Sequence, residues 1–518
     1  MPLKEKFCQA ELKLPSILRN REMKNTKLTI CLFLVVLTGS ANAQVLTVPT
    51  DHSTIQAAID AGVDGDTVIV TPGTYSGSGN RNINLLGKAI TVQSTDPANP
   101  GIVSTTVIDC QGSPSTRGFI FNSQETIDSK VMGLTIKNGN NFKGGGIYCY
   151  NDSSPTISNC VVTANSAVFG GGLAVEGANS FPLITNCQII GNSALAGGGG
   201  VYCNGSNPTI VSSLVCGNFA PRGGAFYGHN VCTPVINNST ISGNAATVSA
   251  GGLCCYGGCD LSMENCIVWD NSAFSASDLF VAGLGAPTTV DISYCDIYNS
   301  AESVVCDSTS TINWGQGNID ADPNFIDDGI LGPRNERVGA DYHLNEGSPC
   351  IDAGDPCFVT EADSTDIDGQ ERLSGAAVDI GADEVVIINT ILADVRIMPK
   401  TLNLNSRGRW MLAAIRLEGD YDIKAIDVDS ITLNSQIRPV LVRAFGRWNK
   451  LFAVFKRSEV QEMLSDSEGS VLLTVGGNLE DGTPFEGRDT IKVVARKKKV
   501  GRLCNKFGKC KKLRVRKK

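Results

Sequence analysis

Five copies of one segment, about 26 residues apart, constrain this chain more than anything else in it. The copies end on Asn165, Asn192, Asn218, Asn244 and Asn271, at spacings of 27, 26, 26 and 27. A fixed period of this size means stacked supersecondary units that cannot bury an apolar face alone. Within each copy the apolar residues alternate: Ile157, Cys160 and Val162 recur as Ile184, Cys187 and Ile189, then as Ile210, Ser213 and Val215. Alternation with period two, bounded by turn residues, specifies short strands. A second strand follows a glycine pair at Gly145-Gly146, Gly171-Gly172, Gly199-Gly200, Gly223-Gly224 and Gly251-Gly252. Equivalent strands of successive copies must stack at about 4.8 Å, which makes a parallel β-helix. The repeated asparagines suit a corner, since Asn tolerates the left-handed region and its amide can stack into ladders.

These repeats resemble the right-handed parallel β-helix, or pectin-lyase-like, superfamily. Pairs such as Ile189…Asn192 with Gly199-Gly200-Val201 also look like repeats of polymorphic outer membrane proteins. The opening, from Val48-Pro49 through Thr54-Ile55-Gln56-Ala57-Ala58-Ile59 and Gly65-Asp66-Thr67 to Pro72-Gly73-Thr74-Tyr75, is similar to the usual start of that superfamily. The segments Asp341-Tyr342-His343-Leu344, Gly347…Gly354, Asp366…Arg372 and Val378…Glu384 look like the tail of secreted bacterial β-helix proteins with a variable anchor behind it. The resemblance spans roughly residues 45–385 and speaks to fold. It says little about activity, because one fold hosts many functions.

The domain reading follows. Residues 1–43 form a leader. Lys24 and Lys27 precede the apolar run 28–37, and Ala41-Asn42-Ala43 follows it, the order of a secretory signal. Met23 is then the natural start, and the protein is exported to the cell surface or beyond. Residues 44–385 form the β-helix, with an irregular acidic section at its end. Ser53-x-x-Gln56 has capping-box spacing. Ile55, Ala58 and Ile59 share one face, so a short helix can plug the solenoid's first coil. Residues 386–495 carry alternating runs, Val395–Ile397, Leu412–Leu417, Phe452–Phe455, Val471–Val475 and Thr490–Val494, and read as a small β-sandwich. Residues 496–518 hold thirteen Lys or Arg and no acid, in a chain of net charge −8. A basic tail on an acidic body points to an anionic envelope surface rather than to nucleic acid.

Nineteen cysteines sit mostly in repeat columns. Cys160, Cys187 and Cys266 share one column, and Cys149, Cys203 and Cys255 another, where a buried thiol serves as a small apolar filler. Cys350 with Cys357, and Cys504 with Cys510, are the better disulfide candidates.

The chemistry is sparse. Between residues 129 and 273 the acids are Asp152, Glu176, Asp260, Glu264 and Asp270, with no evident column. A polysaccharide lyase of the resembled superfamily would use Ca²⁺ on carboxylates and an Arg or Lys base. Arg222 and His229 share a coil and are the catalytic candidates. No cofactor is required. A structural Ca²⁺ is the ion the later acids suit, with Asp363, Asp366 and Asp368 nearest to a ligand set; the alternative is that these acids simply form turns and face solvent. The aromatic residues Tyr148, Tyr202 and Phe226, each read as lying between two inward positions, should form an outward strip able to stack on sugar rings. The resulting expectation is a binding, adhesive or structural protein that contacts a polysaccharide or envelope polymer. The alternative is a polysaccharide lyase or glycoside hydrolase.

Overall fold

The computed structural model describes residues 43–359, 365–386, 390–419, 421–445 and 449–494, and the backbone of 502–504 and 510–512. The signal segment, apart from Ala43, and most of the basic tail lie outside these residues, as does Asp363. The chain divides into two compact units, Met1–Val386 and Ile387–Lys518.

The first unit is a right-handed parallel β-helix. Its walls are an 11-stranded sheet and two 9-stranded sheets, with a 5-stranded sheet at one corner. Each sheet takes one strand per coil. One coil runs Thr156–Ser158 on the first sheet, Val161–Thr163 on the second, Ser166–Phe169 at the corner and Leu173–Glu176 on the third. The expected ladder forms in register: Ile157, Ile184, Ile210, Ile236 and Met263 pair rung to rung. None of these five is more than 1% exposed. The ladder extends back to Val68 and forward to Ile292. Each fully buried aliphatic rung contributes at most about 1.5–3 kcal/mol.

The asparagines do stack. Asn165, Asn192, Asn218 and Asn244 each donate Nδ2 to the Oδ1 of the next rung at 2.9–3.0 Å. The same oxygens accept the backbone N–H of the preceding rung. Each amide's second hydrogen goes to a backbone carbonyl, as from Asn218 to Ile189 at 2.8 Å. The buried amides are therefore satisfied, as burial requires. The left-handed residue is the one before each asparagine, namely Ala164, Gly191, Gly217, Gly243 and Asp270. The ladder Asn itself is not left-handed, contrary to expectation. Its amide can cap the corner only from ordinary backbone, with the bend placed one residue earlier.

The ladder stops at Asp278. That residue stands opposite Gly252, in the column where Gly146, Gly172 and Gly200 bring backbone close to the asparagine amides. Its carboxylate accepts the last amide, from Asn271, at 2.8 Å. Burial raises its pKa to about 7.

A helix, Ile55–Ala61, packs Ile55, Ala58 and Ile59 into the first coil. Its cap is Thr54, whose hydroxyl accepts Ala57 N–H at 3.2 Å; Ser53 is one residue too early. Gln56 is not a capping partner. Its amide exchanges two hydrogen bonds with the backbone of Asn84, at 2.9 and 3.0 Å, and so continues the edge of the third sheet.

Residues 319–359 and 365–386 return along the solenoid and cover the outer face of its second sheet. Ala382 N–H bonds Thr240 Oγ1 and Gly381 N–H bonds Asn265 O. A separate apolar cluster of Cys216, Ile267, Phe325, Tyr342, Leu344, Cys350 and Ile380 lies beneath. No described helix is long and apolar enough to cross a membrane.

The second unit is an 8-stranded β-sheet in two parts around a core that includes Ile397, Ile415, Phe455, Leu473, Phe485 and Ile491. Strand Ile391–Met398 joins them. It pairs antiparallel with Trp410–Leu417 on one side and begins parallel to Pro484–Val494 on the other. The backbones of Cys504 and Cys510 face each other across an antiparallel pair.

The column cysteines Cys160, Cys187 and Cys266 are buried thiols, as are Cys149, Cys203 and Cys255. The first column also serves the backbone: where it carries Ser213 and Ser239, their hydroxyls accept the N–H groups of Cys187 and Ser213. Cys350 does not pair with Cys357. It is buried, and its thiol donates to Asp296 Oδ2 at 3.3 Å.

Candidate functional site

The outer face of the third sheet is built from two columns of side chains. One runs Tyr148, Ala174, Tyr202, Tyr227, Cys254 and Phe280. The other, two residues on, includes Glu176, Asn204 and His229, in register. Tyr150 and Tyr256 hold the same strand position in their own coils. Rings touch from coil to coil. Phe169 lies 4.9 Å from Tyr202, centroid to centroid, Tyr202 lies 5.7 Å from Tyr227, and Tyr256 bridges Tyr227 and Phe280 at 5.8 and 5.4 Å. Tyr148 stacks on Tyr150 at 4.6 Å.

The sequence reading placed Phe226 in this strip, and the structure corrects it. Phe226 pairs with Val201 and Leu253 on the inner face and is 2% exposed. Gly224-Ala225 holds the place that the glycine pair takes in other coils. Counting from Gly223-Gly224 slips the register by one residue, and such a slip sends every side chain to the other face. Tyr227 is the outward residue. Aligning Tyr202-Cys203 with Tyr227-Gly228 would have found it. Tyr202 does point outward but is 6% exposed, shielded by Phe169 and Tyr227. Gly197 is needed here, because a β-carbon at that position would stand 2.3 Å from the Tyr227 ring.

Polar groups border the rings. Glu176 accepts Lys143 Nζ at 2.7 and 2.8 Å, Tyr148 OH at 2.5 Å and Asn204 Nδ2 at 3.0 Å. Burial raises its pKa, but these donors outweigh that and hold it below the usual range. Burial, followed by the Glu176 hydrogen bond, pushes the Tyr148 phenol up. The catalytic candidates fall on the same face. Arg222 is exposed and lies near the Tyr256 phenol, and the His229 ring lies 6.1 Å from Tyr227. The face thus offers apolar ring surfaces, a saturated carboxylate, amides and cations. Phe169, Glu176, Asn204, Tyr227, Tyr256 and Phe280 were missed because they recur only once the coils are in register.

A second cluster lies where the returning segment crosses the second sheet. His343 is held at Nδ1 by Asp341 and at Nε2 by Asp368 Oδ2, the latter at 3.0 Å. His343 Nε2, Asp368 and Asp383 offer ligand atoms within 4.8 Å of one another. The Asp368 hydrogen bond raises the His343 pKa to about 10. A nitrogen donor is not what Ca²⁺ selects. Asp366, expected beside Asp368 as a Ca²⁺ ligand, is buried instead. Its carboxylate accepts the N–H groups of Asp368, Gln370 and Glu384. Asp352 and Asp379 likewise accept backbone N–H groups. These acids shape turns around the buried guanidinium of Arg372, which donates to the carbonyls of Asp379, Gly381 and Asp383. Cavities of about 580 and 660 Å³ flank the crossing.

Residues 172–321 match the family model described as right handed beta helix region. No curated protein matches the chain. Among solved structures the chain is similar to the crystal structure of pectate lyase Pel9A. The identity is 15% and the TM-score 0.40, over 67% of this chain and 97% of that one. A likeness that distant carries neither a residue nor an activity across.

Proposed function

We propose that this chain is an exported β-helix protein that binds a polysaccharide, without turning it over, along the outer face of its third sheet. The observation behind this reading is the run of outward rings from Tyr148 to Phe280, on a face that the described residues of the returning segment do not cover. The half-buried rings of Tyr148, Tyr227, Tyr256 and Phe280 give flat apolar surfaces for the C–H faces of sugars, and amides at their edge suit hydroxyl groups. In this reading the leader exports the protein, and the repeats present the face at the cell surface, as their likeness to polymorphic outer membrane protein repeats suggests. The basic tail rests on an anionic envelope polymer, where the likeness to a variable-anchor tail would place it. A structural Ca²⁺ is not needed for binding.

One observation favours the enzymatic alternative: Arg222 and His229 share this face with the rings. A lyase or glycoside hydrolase would need them as an acid–base pair. A glycan-array screen of the purified chain, run beside detection of released reducing ends and unsaturated products, separates the two. Binding without product, weakened by Tyr227→Ala, supports the proposal. Depolymerisation lost in Arg222→Ala, with binding retained, overturns it.

A further inference from the structure

Arg117 enters the third sheet at the end of the face nearest the chain's start, just before strand Phe119–Phe121. Its backbone is fixed on both sides by Asn82, whose Oδ1 accepts Arg117 N–H at 3.0 Å and whose N–H reaches Arg117 O at 2.6 Å. The residue is 8% exposed, and its guanidinium carbon lies 4.9 Å from the centre of the Tyr148 ring. Its Nε is buried with no hydrogen-bond partner. Among the described residues no carboxylate forms an ion pair with it, and burial disfavours its charged form. Glu176, the acid of this face, is already taken by Lys143, Tyr148 and Asn204.

An arginine cannot shed its proton to escape burial. A buried cation without a counter-ion is destabilising, and folded proteins pair such charges. Ring contact offsets part of that cost but leaves the fork of donors unused. We infer that Arg117 forms an anion subsite, which takes a carboxylate or sulfate substituent of the sugar chain beside the Tyr148–Tyr150 pair. This rests on the glycan-binding reading and adds a charge preference to it. The planar fork of the guanidinium matches either anion with two parallel hydrogen bonds.

The test is calorimetry on the full chain with three probes: a hexuronate oligomer, the same oligomer after carboxyl reduction, and a sulfated neutral oligomer. An anionic probe should bind about tenfold more tightly than the reduced one, the value of one charged hydrogen bond. Preference for the hexuronate alone or the sulfated oligomer alone assigns the substituent. Arg117→Gln should erase the preference and leave binding of the reduced oligomer unchanged, while Arg117→Lys should keep part of it. The anionic oligomer should raise the melting temperature of the wild type and not that of Arg117→Gln. Should Arg117→Gln fail to fold, Arg117→Lys decides: a preference for the charged oligomer undiminished in that variant overturns the subsite. Equal affinity for all three probes, or a preference that survives Arg117→Gln, overturns the subsite and leaves the glycan reading standing. No binding of any probe overturns both.

Discussion

The second and third sheets of the solenoid share their inner construction and differ outside. Both line one core with apolar rungs, such as Val162–Ile189–Val215 and Leu173–Val201–Phe226. Outside, the second sheet carries Leu214 and Ile267 and is covered by residues 319–359 and 365–386 of its own chain. The third carries Tyr148, Tyr227, Tyr256 and Phe280, half-exposed. The contrast separates two roles of one repeat. Inner columns decide whether coils stack. Outer columns decide what the stack meets, either a segment of the same chain or something in solution.

That division can be broken most directly at an inner rung. Ile210→Asp should abolish cooperative unfolding of the solenoid, since it places an unpaired charge among Ile184, Ile236 and their neighbours. The loss should exceed about 4 kcal/mol, read by circular dichroism and thermal melts. A soluble variant with a near-native melting temperature would contradict the inner-column argument.

A smaller effect is expected under the cover of the second sheet. Tyr342 is 7% exposed and meets Phe325 edge-on at 5.0 Å. Tyr342→Ala should cost roughly 3 kcal/mol through the cavity it leaves. It should also raise proteolysis of residues 319–386 while leaving glycan binding intact. Loss of binding without loss of stability would show that the covered face, not the open one, holds the ligand.

The end of the asparagine ladder gives a pH test. Asp278 has a pKa of about 7, raised by burial, against an ordinary carboxylate value when unfolded. The folded state therefore holds the proton more tightly, and stability is greatest below the unfolded pKa. It falls as pH rises from about 4 to 7, by up to about 4 kcal/mol for a shift of this size. Asp278→Asn keeps an acceptor for Asn271 and removes the titration. Its melting temperature should exceed that of the wild type at pH 8 and match it at acid pH. Parallel profiles for the two proteins would rule out this role.

The smallest change concerns the open face. Tyr227→Ala should leave the fold intact and weaken glycan binding by about 1 kcal/mol, measured by calorimetry. Phe226→Ala, one residue earlier but inward, should do the reverse and cost about 3–5 kcal/mol of stability.

The fold was legible because a repeat states its own alignment. The Ile157-to-Met263 ladder and the stacked amides could be read directly from period and alternation. The face was legible only in part, at Tyr148, Tyr202, Arg222 and His229. Strand register is a count, and one coil in which Ala225 replaces a glycine shifts the count by one. The covering segment was not legible, because Thr240–Ala382 and Asn186–Asp366 are contacts across long stretches of chain that no local pattern announces. The acids after residue 318 had the composition of a Ca²⁺ loop, yet most bind backbone N–H groups, a distinction that only geometry makes.

The asparagine ladder has a direction. Every ladder amide donates to the next rung toward the chain's C-terminal end, from Asn165 through to Asn271, and there Asp278, which has no amide to pass the bond on, closes the series. At the other end Asn165 Oδ1 accepts the N–H of Gly139. A new coil spliced between two rungs inherits a donor below and an acceptor above. A coil added beyond Asp278 inherits neither. Whole-coil duplication is therefore cheap in the middle of this molecule and costly at its end, and length should vary among descendants of such a chain by insertion between rungs rather than by extension.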